Sequence, residues 1–166
     1  TVIVGHNFCP FAKAVLDADR VHVAVIENSD FETCLEKLVL ECERLDNDPA
    51  IETTLVVFPQ AANNFDDFLD FIDLAEQLMA TLGYEGVYQL AHFHPDYQFE
   101  GLTPEDPANY TNRSPYPTLH LIREASLEKA LENYPQPEKI PERNIEYARK
   151  LGMETLAKQL ASCRDD

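Results

Sequence analysis

Two apolar stretches decide how this chain reads: Gly86-Val87-Tyr88-Gln89-Leu90-Ala91-His92-Phe93-His94 and Thr118-Leu119-His120-Leu121-Ile122-Arg123. Both are short and rich in side chains that suit a pleated, half-buried surface, so strands are expected over 86–94 and 118–123. No helical repeat fits between them, and strands joined without a helix pair antiparallel. The connection, 95–117, is rich in Pro, Asn, Asp and Tyr. A connection of about 20 residues inside a compact domain is usually functional or disordered. Tyr97, Phe99, Tyr110 and Tyr116 predict that this one packs down, which leaves function as the better explanation.

Toward the N-terminus the pattern alternates. Val21 to Glu27 is β-branched and stops at Asn28-Ser29, which reads as a first strand. Ser29 or Asp30 can cap the helix that follows, in which Phe31, Leu35, Leu38, Cys42 and Leu45 share one face. Ile51 to Phe58 reads as a second, more buried strand closed by Pro59. A second helix is expected from about Asn64 to Leu82, ended by Gly83. Its acids Asp66, Asp67, Asp70 and Asp73 fit a solvated face, since a Ca²⁺ loop needs another spacing and a turn glycine. Toward the C-terminus come a short helix at 126–133, a Pro-rich linker at 134–141 and one last helix from Pro141 to about Leu160.

The order β-α-β-α-β-β-α-α predicts a single α+β domain over 1–166. One mixed sheet carries helices against it, comparable in complexity to ferredoxin-like or thioredoxin-like folds. Helical crossovers make the first three strands candidates for parallel pairing. Residues 1–20 form an N-terminal Cys-Pro segment.

Composition narrows the function classes. The 166 residues are 45% hydrophobic with only five Gly, enough for a core without staples. The net charge is −17, from 30 acids against 13 bases, a field that repels phosphate backbones and anionic membrane surfaces. Neither nucleic acid nor membrane is an expected partner, and no apolar run reaches the roughly 18 residues of a bilayer span. The first residues lack a basic n-region and a small-residue cleavage site, so no signal peptide is read there. Four cysteines, Cys9, Cys34, Cys42 and Cys163, do not space like a disulfide framework, which points to reduced thiols in a cytoplasmic protein. No Walker or dinucleotide fingerprint and no Gly-x-Ser-x-Gly elbow occurs.

Three constellations carry chemistry. His92 and His94, two apart on a strand, point to one face, and His120 can lie opposite them depending on register. Three imidazoles on adjacent strands would suit a divalent transition metal such as Zn, Fe or Cu, with Asp96 or Glu100 adding a carboxylate. The plain alternative is half-buried, hydrogen-bonded strand histidines. Cys9-Pro10 resembles the start of a thiol-redox motif, but Ala12 stands where Cys-x-x-Cys needs its second thiol. Cys9 is then a lone nucleophile with a histidine as base, or a small buried hydrophobe. Asn109 to Pro117 gathers amides, hydroxyls and one guanidinium. There Arg113, with Asn112, Ser114 and Tyr116, is a candidate anchor for a small anionic molecule, or else fixes the loop locally. The Ser114 to Pro117 run also has room for a cis peptide.

Asn7-Phe8-Cys9-Pro10-Phe11-Ala12, Ala91-His92-Phe93-His94-Pro95 with Tyr97 and Phe99, and Asn112 through Leu121 together resemble an uncharacterised bacterial family, domain of unknown function 1415. The resemblance covers essentially the whole chain. It implies a compact, cytoplasmic bacterial protein without an assigned activity. It also implies that Thr1 to His6 ends a helix rather than forming a strand, which weakens a thioredoxin-like reading.

The expectation is a small-molecule enzyme. Cys9, His92, His94, Arg113 and His120 would carry it, binding an anionic substrate through Asn112, Arg113, Ser114 and Tyr116. A thiol-dependent redox or transfer enzyme using Cys9 is one rival. A noncatalytic protein-interaction or ligand-binding module is the other. Convergence of the five residues in one cavity favours an enzyme; an exposed apolar patch without such a cavity favours the binding module.

Overall fold

The structure is a computed structural model that describes residues 2–164. Four strands form one mixed sheet: β1 (Val21–Val25), β2 (Thr53–Val57), β3 (Tyr88–Phe93) and β4 (Thr118–Arg123), in the order β1-β2-β4-β3. The helices are α1 (Val2–Gly5), α2 (Ala12–Asp17), α3 (Phe31–Asn47), α4 (Phe65–Thr81), α5 (Glu124–Glu132), α6 (Ile140–Leu151) and α7 (Met153–Ser162). The α+β class and the single mixed sheet are as the sequence predicts.

The first crossover behaves as expected, with β1 and β2 parallel and in register from Val21↔Thr53 to Val25↔Val57. The third strand differs. β3 does not pair with β2, because β4 inserts between them, antiparallel to both. Burial explains the choice. Leu119 and Leu121 of β4 are completely buried and belong in the middle of the sheet, whereas β3 carries exposed Gln89 and suits an edge.

Side chains alternate across the sheet. Ala24, Thr54, Val56, Leu119, Leu121, Leu90 and His92 share the face packed under α3 and α4, whose Leu38, Cys42, Leu45, Phe68, Phe71 and Ala75 complete the main core. Asp30 caps α3 by accepting from Thr33 N, and Asn64 caps α4 by accepting from Asp66 N. The opposite face holds Val23, Val25, Leu55, Val57, His120, Ile122, Ala91 and Phe93.

The single C-terminal helix expected over 141–160 is two. Gly152, at φ 82° and ψ 154°, adopts a backbone that helices exclude, and it ends α6 and starts α7. A second cluster joins the chain's two ends. Phe8, Tyr110, Ala148 and Leu156 are its buried members, with Val2, Ile3, Leu151 and Leu160 against them. Helix over Val2–Gly5 agrees with the reading of residues 1–6 as a helix end; Thr1 lies outside the described residues.

The 95–117 connection packs down. It contains a 3-10 turn at Pro107–Thr111 that rests on α6 and α7, and Tyr97 and Tyr110 are buried. Tyr116 departs from that expectation, with 43% of its surface exposed. All described peptide bonds are trans, those before Pro115 and Pro117 included.

Candidate functional site

His120 lies on β4 opposite Leu55 of β2 and Ala91 of β3, while His92 on β3 lies opposite Leu119. The two imidazoles therefore point to opposite faces of the sheet. His94 sits just past the end of β3, completely buried between the rings of Phe65 and Phe68. Its Nδ1 accepts from Asp96 N at 3.0 Å, so the proton is on Nε2, which donates to Ala62 O at 3.1 Å. Neither nitrogen is left for a ligand.

This geometry corrects the metal expectation. His92, His94 and His120 do not converge, the side chains of Asp96 and Glu100 are exposed, and no group of three or more His, Cys, Asp or Glu is placed to hold a metal among the described residues. His-x-His set the first two on one face as expected, but a register one residue away from the required one put His120 on the other.

The loop residues turn inward to the backbone. Arg113 donates through Nε to Tyr97 O (3.1 Å) and through Nη2 to Pro104 O (2.9 Å), and its guanidinium lies 4.4 Å from the centre of the Tyr110 ring. Asn112 donates to His92 O and Ser114 to Tyr116 O. Asn109, completely buried, accepts from Phe99 N and donates to Thr103 O. These groups hold a structureless segment in one conformation by satisfying its carbonyls and amides. Arg113 thus fixes the loop, through carbonyls and a ring rather than through an acid.

Cys9 is half-buried in the turn between α1 and α2. That turn is clamped from α6: Arg143 donates to Asn7 O at 2.8 Å and Asn144 to Phe8 O at 2.6 Å. Cys34 and Cys42 are fully buried on α3 as expected, and burial with nearby acids pushes the Cys42 thiol up to about 12, which leaves it inert.

His120 and His92 each keep a ring nitrogen that no protein group engages among the described residues. The Nε2 of His120 lies 2.6 Å from Thr53 Oγ1, and Thr53 Oγ1 also meets Leu121 O. A carbonyl only accepts, so the single hydroxyl proton goes to Leu121 O, and Nε2–H must donate to the hydroxyl oxygen. The neutral ring then carries its lone pair on Nδ1. That atom has no protein partner among the described residues. Burial alone pushes the imidazole down to about 4, so it is neutral at pH 7. His92 is also held low by burial, stacks on Tyr97, and leaves its buried Nδ1 without a partner.

Around His120 the open face is apolar and graded. Val23 and Val25, at the β1 edge, are 53% and 57% exposed; Leu55, Val57, Ile122, Ala91 and Phe93 are partly covered. Two shallow depressions lie elsewhere along α3 and α4, lined by Leu40, Glu43, Arg44, Asn47 and Asp48 and by Glu32, Leu35, Glu36, Val39 and Leu78. Neither includes a candidate residue. Thr53, Arg143 and Asn144 were not legible as site residues in the sequence. Each acts on a partner far along the chain, and no local motif marks them.

The molecule is thus an α+β protein with α3 and α4 packed on one face of a mixed sheet whose other face is exposed at its β1 edge, and no helix among the described residues is long and apolar enough to cross a membrane. The chain belongs to the family described as protein of unknown function DUF1415, which matches residues 1–158. No curated protein and no solved structure matches it.

Proposed function

We propose that the chain is a noncatalytic ligand-binding module whose working surface is the open face of the sheet around His120. The observation that carries this is a largely apolar sheet face, more than half exposed at Val23 and Val25, with the His120 imidazole in its covered part. Exposed contiguous apolar surface on a strongly acidic chain is costly to keep without use. His94, Asn112, Arg113 and Ser114, on which an enzyme reading relies, are committed to the backbone. Burial holds the imidazoles of His92 and His120 below their ordinary range, which makes them weak bases at neutral pH.

The net charge of −17 supports excluding nucleic acid and anionic membranes as partners. Free thiols at all four cysteines support a reducing compartment, and with the family likeness a bacterial cytoplasm. Methyl-detected NMR during a screen of small organic fragments tests the proposal. Shifts are expected at Val23, Val25, Leu55, Val57 and Ile122; shifts confined to 95–117 or to α3 and α4 would count against it.

A thiol-dependent enzyme using Cys9 is the second reading, favoured by the clamp that Arg143 and Asn144 place on the preceding residues. It requires an alkylation rate that levels off well below pH 8.5; the profile of an ordinary thiol removes it.

A further inference from the structure

On the side of the sheet away from His120, α3 and α4 pack on one another, with the ring centres of Phe31 and Phe71 4.9 Å apart. The seam between them is not sealed outward. Leu74, Leu78 and Leu82 stand four residues apart, so they follow one side of α4 and its C-terminal cap, a turn above one another. Leu74 and Leu82 are 44% and 49% exposed. Leu35 and Val39 of α3, also four apart, are only partly covered. With Leu78, Glu32 and Glu36 they line a shallow groove of about 380 Å³.

The rim of the groove carries one sign of charge. At 3.6 residues per turn, Glu32, Glu36 and Glu43 stand within about 60° of Val39 around α3, and Asp67 and Asp70 within about 40° of Leu74 around α4. All five are exposed. α4 contains no Lys, Arg or His. The two bases of α3, Lys37 and Arg44, lie about 140–160° around the helix from Val39, and Arg44 is held by Glu41. Arg123, near the end of α3, is spent on the carbonyls of Leu45 and Ile51.

Shape and charge together select one occupant. A second copy would set five acids against five. Nucleic acid and anionic membranes meet the same repulsion. A furrow this shallow would cover only a fraction of a small molecule. Two rows of Leu and Val spaced one turn apart are the mate of a third helix, whose own i, i+4 side chains drop between them. We propose that the α3–α4 groove docks an amphipathic helix of a partner protein, its apolar stripe on Leu35, Val39, Leu74, Leu78 and Leu82 and its flanks carrying Lys or Arg toward the acidic rim. The apolar floor supplies most of the affinity. The acids supply orientation and encounter rate, since exposed ion pairs contribute little on their own. This site is separate from the sheet face around His120.

Three synthetic peptides of about four helical turns test it on the full chain by methyl-detected NMR. The first carries Leu at helical i, i+3 and i+4 spacing with Lys elsewhere. The second has Glu in place of Lys. The third shuffles the first so that no apolar face forms. The first is expected to shift the methyls of Leu35, Val39, Leu74, Leu78 and Leu82 and to bind at least about tenfold tighter than the other two. Leu74→Ala with Leu82→Ala, both at exposed positions, is expected to weaken it about tenfold. A shuffled peptide that binds as well leaves only net charge as the attraction and overturns the proposal. So does a Glu peptide of equal affinity, or a first peptide whose shifts fall at Val23 and Val25. Concentration-dependent shifts of the groove methyls in the free chain would give the groove to a second copy instead and also overturn it. Should the double variant not fold, the three peptides on the wild-type chain decide alone.

Discussion

Thr53 on β2 and His120 on β4 meet at 2.6 Å, hydroxyl oxygen to Nε2, and the hydroxyl proton is committed to the carbonyl of Leu121. The contact joins two antiparallel strands on the face that α3 and α4 do not cover. It sets which imidazole nitrogen carries the proton, and with it what the open face can recognise.

Removing the hydroxyl alone should expose this dependence. Thr53→Val keeps the shape but leaves Leu121 O and His120 Nε2 without their partner. A loss of about 2 kcal/mol in urea unfolding is expected, with Thr53→Ser restoring most of it. Equal stability of the Val variant would show that the relay does not form.

Stability should fall as pH drops below 6.5. Burial lowers the folded-state values of His92, His94 and His120, the last to about 4, against an unfolded value near 6.5. The unfolded chain then binds more protons across that window. Stability is complete above pH 6.5 and is lost as pH falls toward 4, with His120 contributing on the order of 3 kcal/mol. The lowered carboxylates Asp30 and Asp106 act only below their usual range near 3.8. Unfolding curves between pH 7 and 4 should slope accordingly, and His120→Gln should flatten them; an unchanged slope contradicts the burial of that ring.

The loop brace predicts a structural loss on substitution. Asn109→Ala leaves Phe99 N and Thr103 O unmatched in a fully buried site and should cost about 3 kcal/mol. Arg113→Lys keeps the charge but cannot reproduce the two-carbonyl fork over Tyr110, and should cost about 1–2 kcal/mol. Both should speed proteolysis within 95–117. An Arg113→Lys chain as stable as wild type would reopen the anion-anchor reading.

Gly152 predicts a pure backbone effect. A Cβ there meets nothing within 4 Å, so Gly152→Ala can act only through the left-handed φ of 82°. A cost of about 1–3 kcal/mol is expected in thermal unfolding. Gly5→Ala, also in open space but at an ordinary φ, should be neutral or slightly stabilising.

Much of the fold was legible because its signals are local. The alternation at Val21 to Val25, the apolar stripe from Phe31 to Leu45 and the caps at Asp30 and Asn64 each act within a few residues. Strand order was not, since the insertion of β4 beside β2 depends on long-range burial of Leu119 and Leu121. The candidate site suffered more. A one-residue choice of register put His120 on the face opposite His92, and the sequence holds no turn that fixes that register across so long a connection. His94 and Arg113 have the chemistry of ligands but are spent on carbonyls whose positions only the folded loop defines.

The tautomer of His120 tests the account most directly. Long-range ¹H–¹⁵N correlation spectra of the imidazoles, recorded from pH 8 to 4, should show His120 as the Nε2–H form with an unprotonated Nδ1, titrating near 4. A ring in the Nδ1–H form, or one that titrates near the ordinary 6.5, would contradict both the relay from Thr53 and the acceptor on the open face.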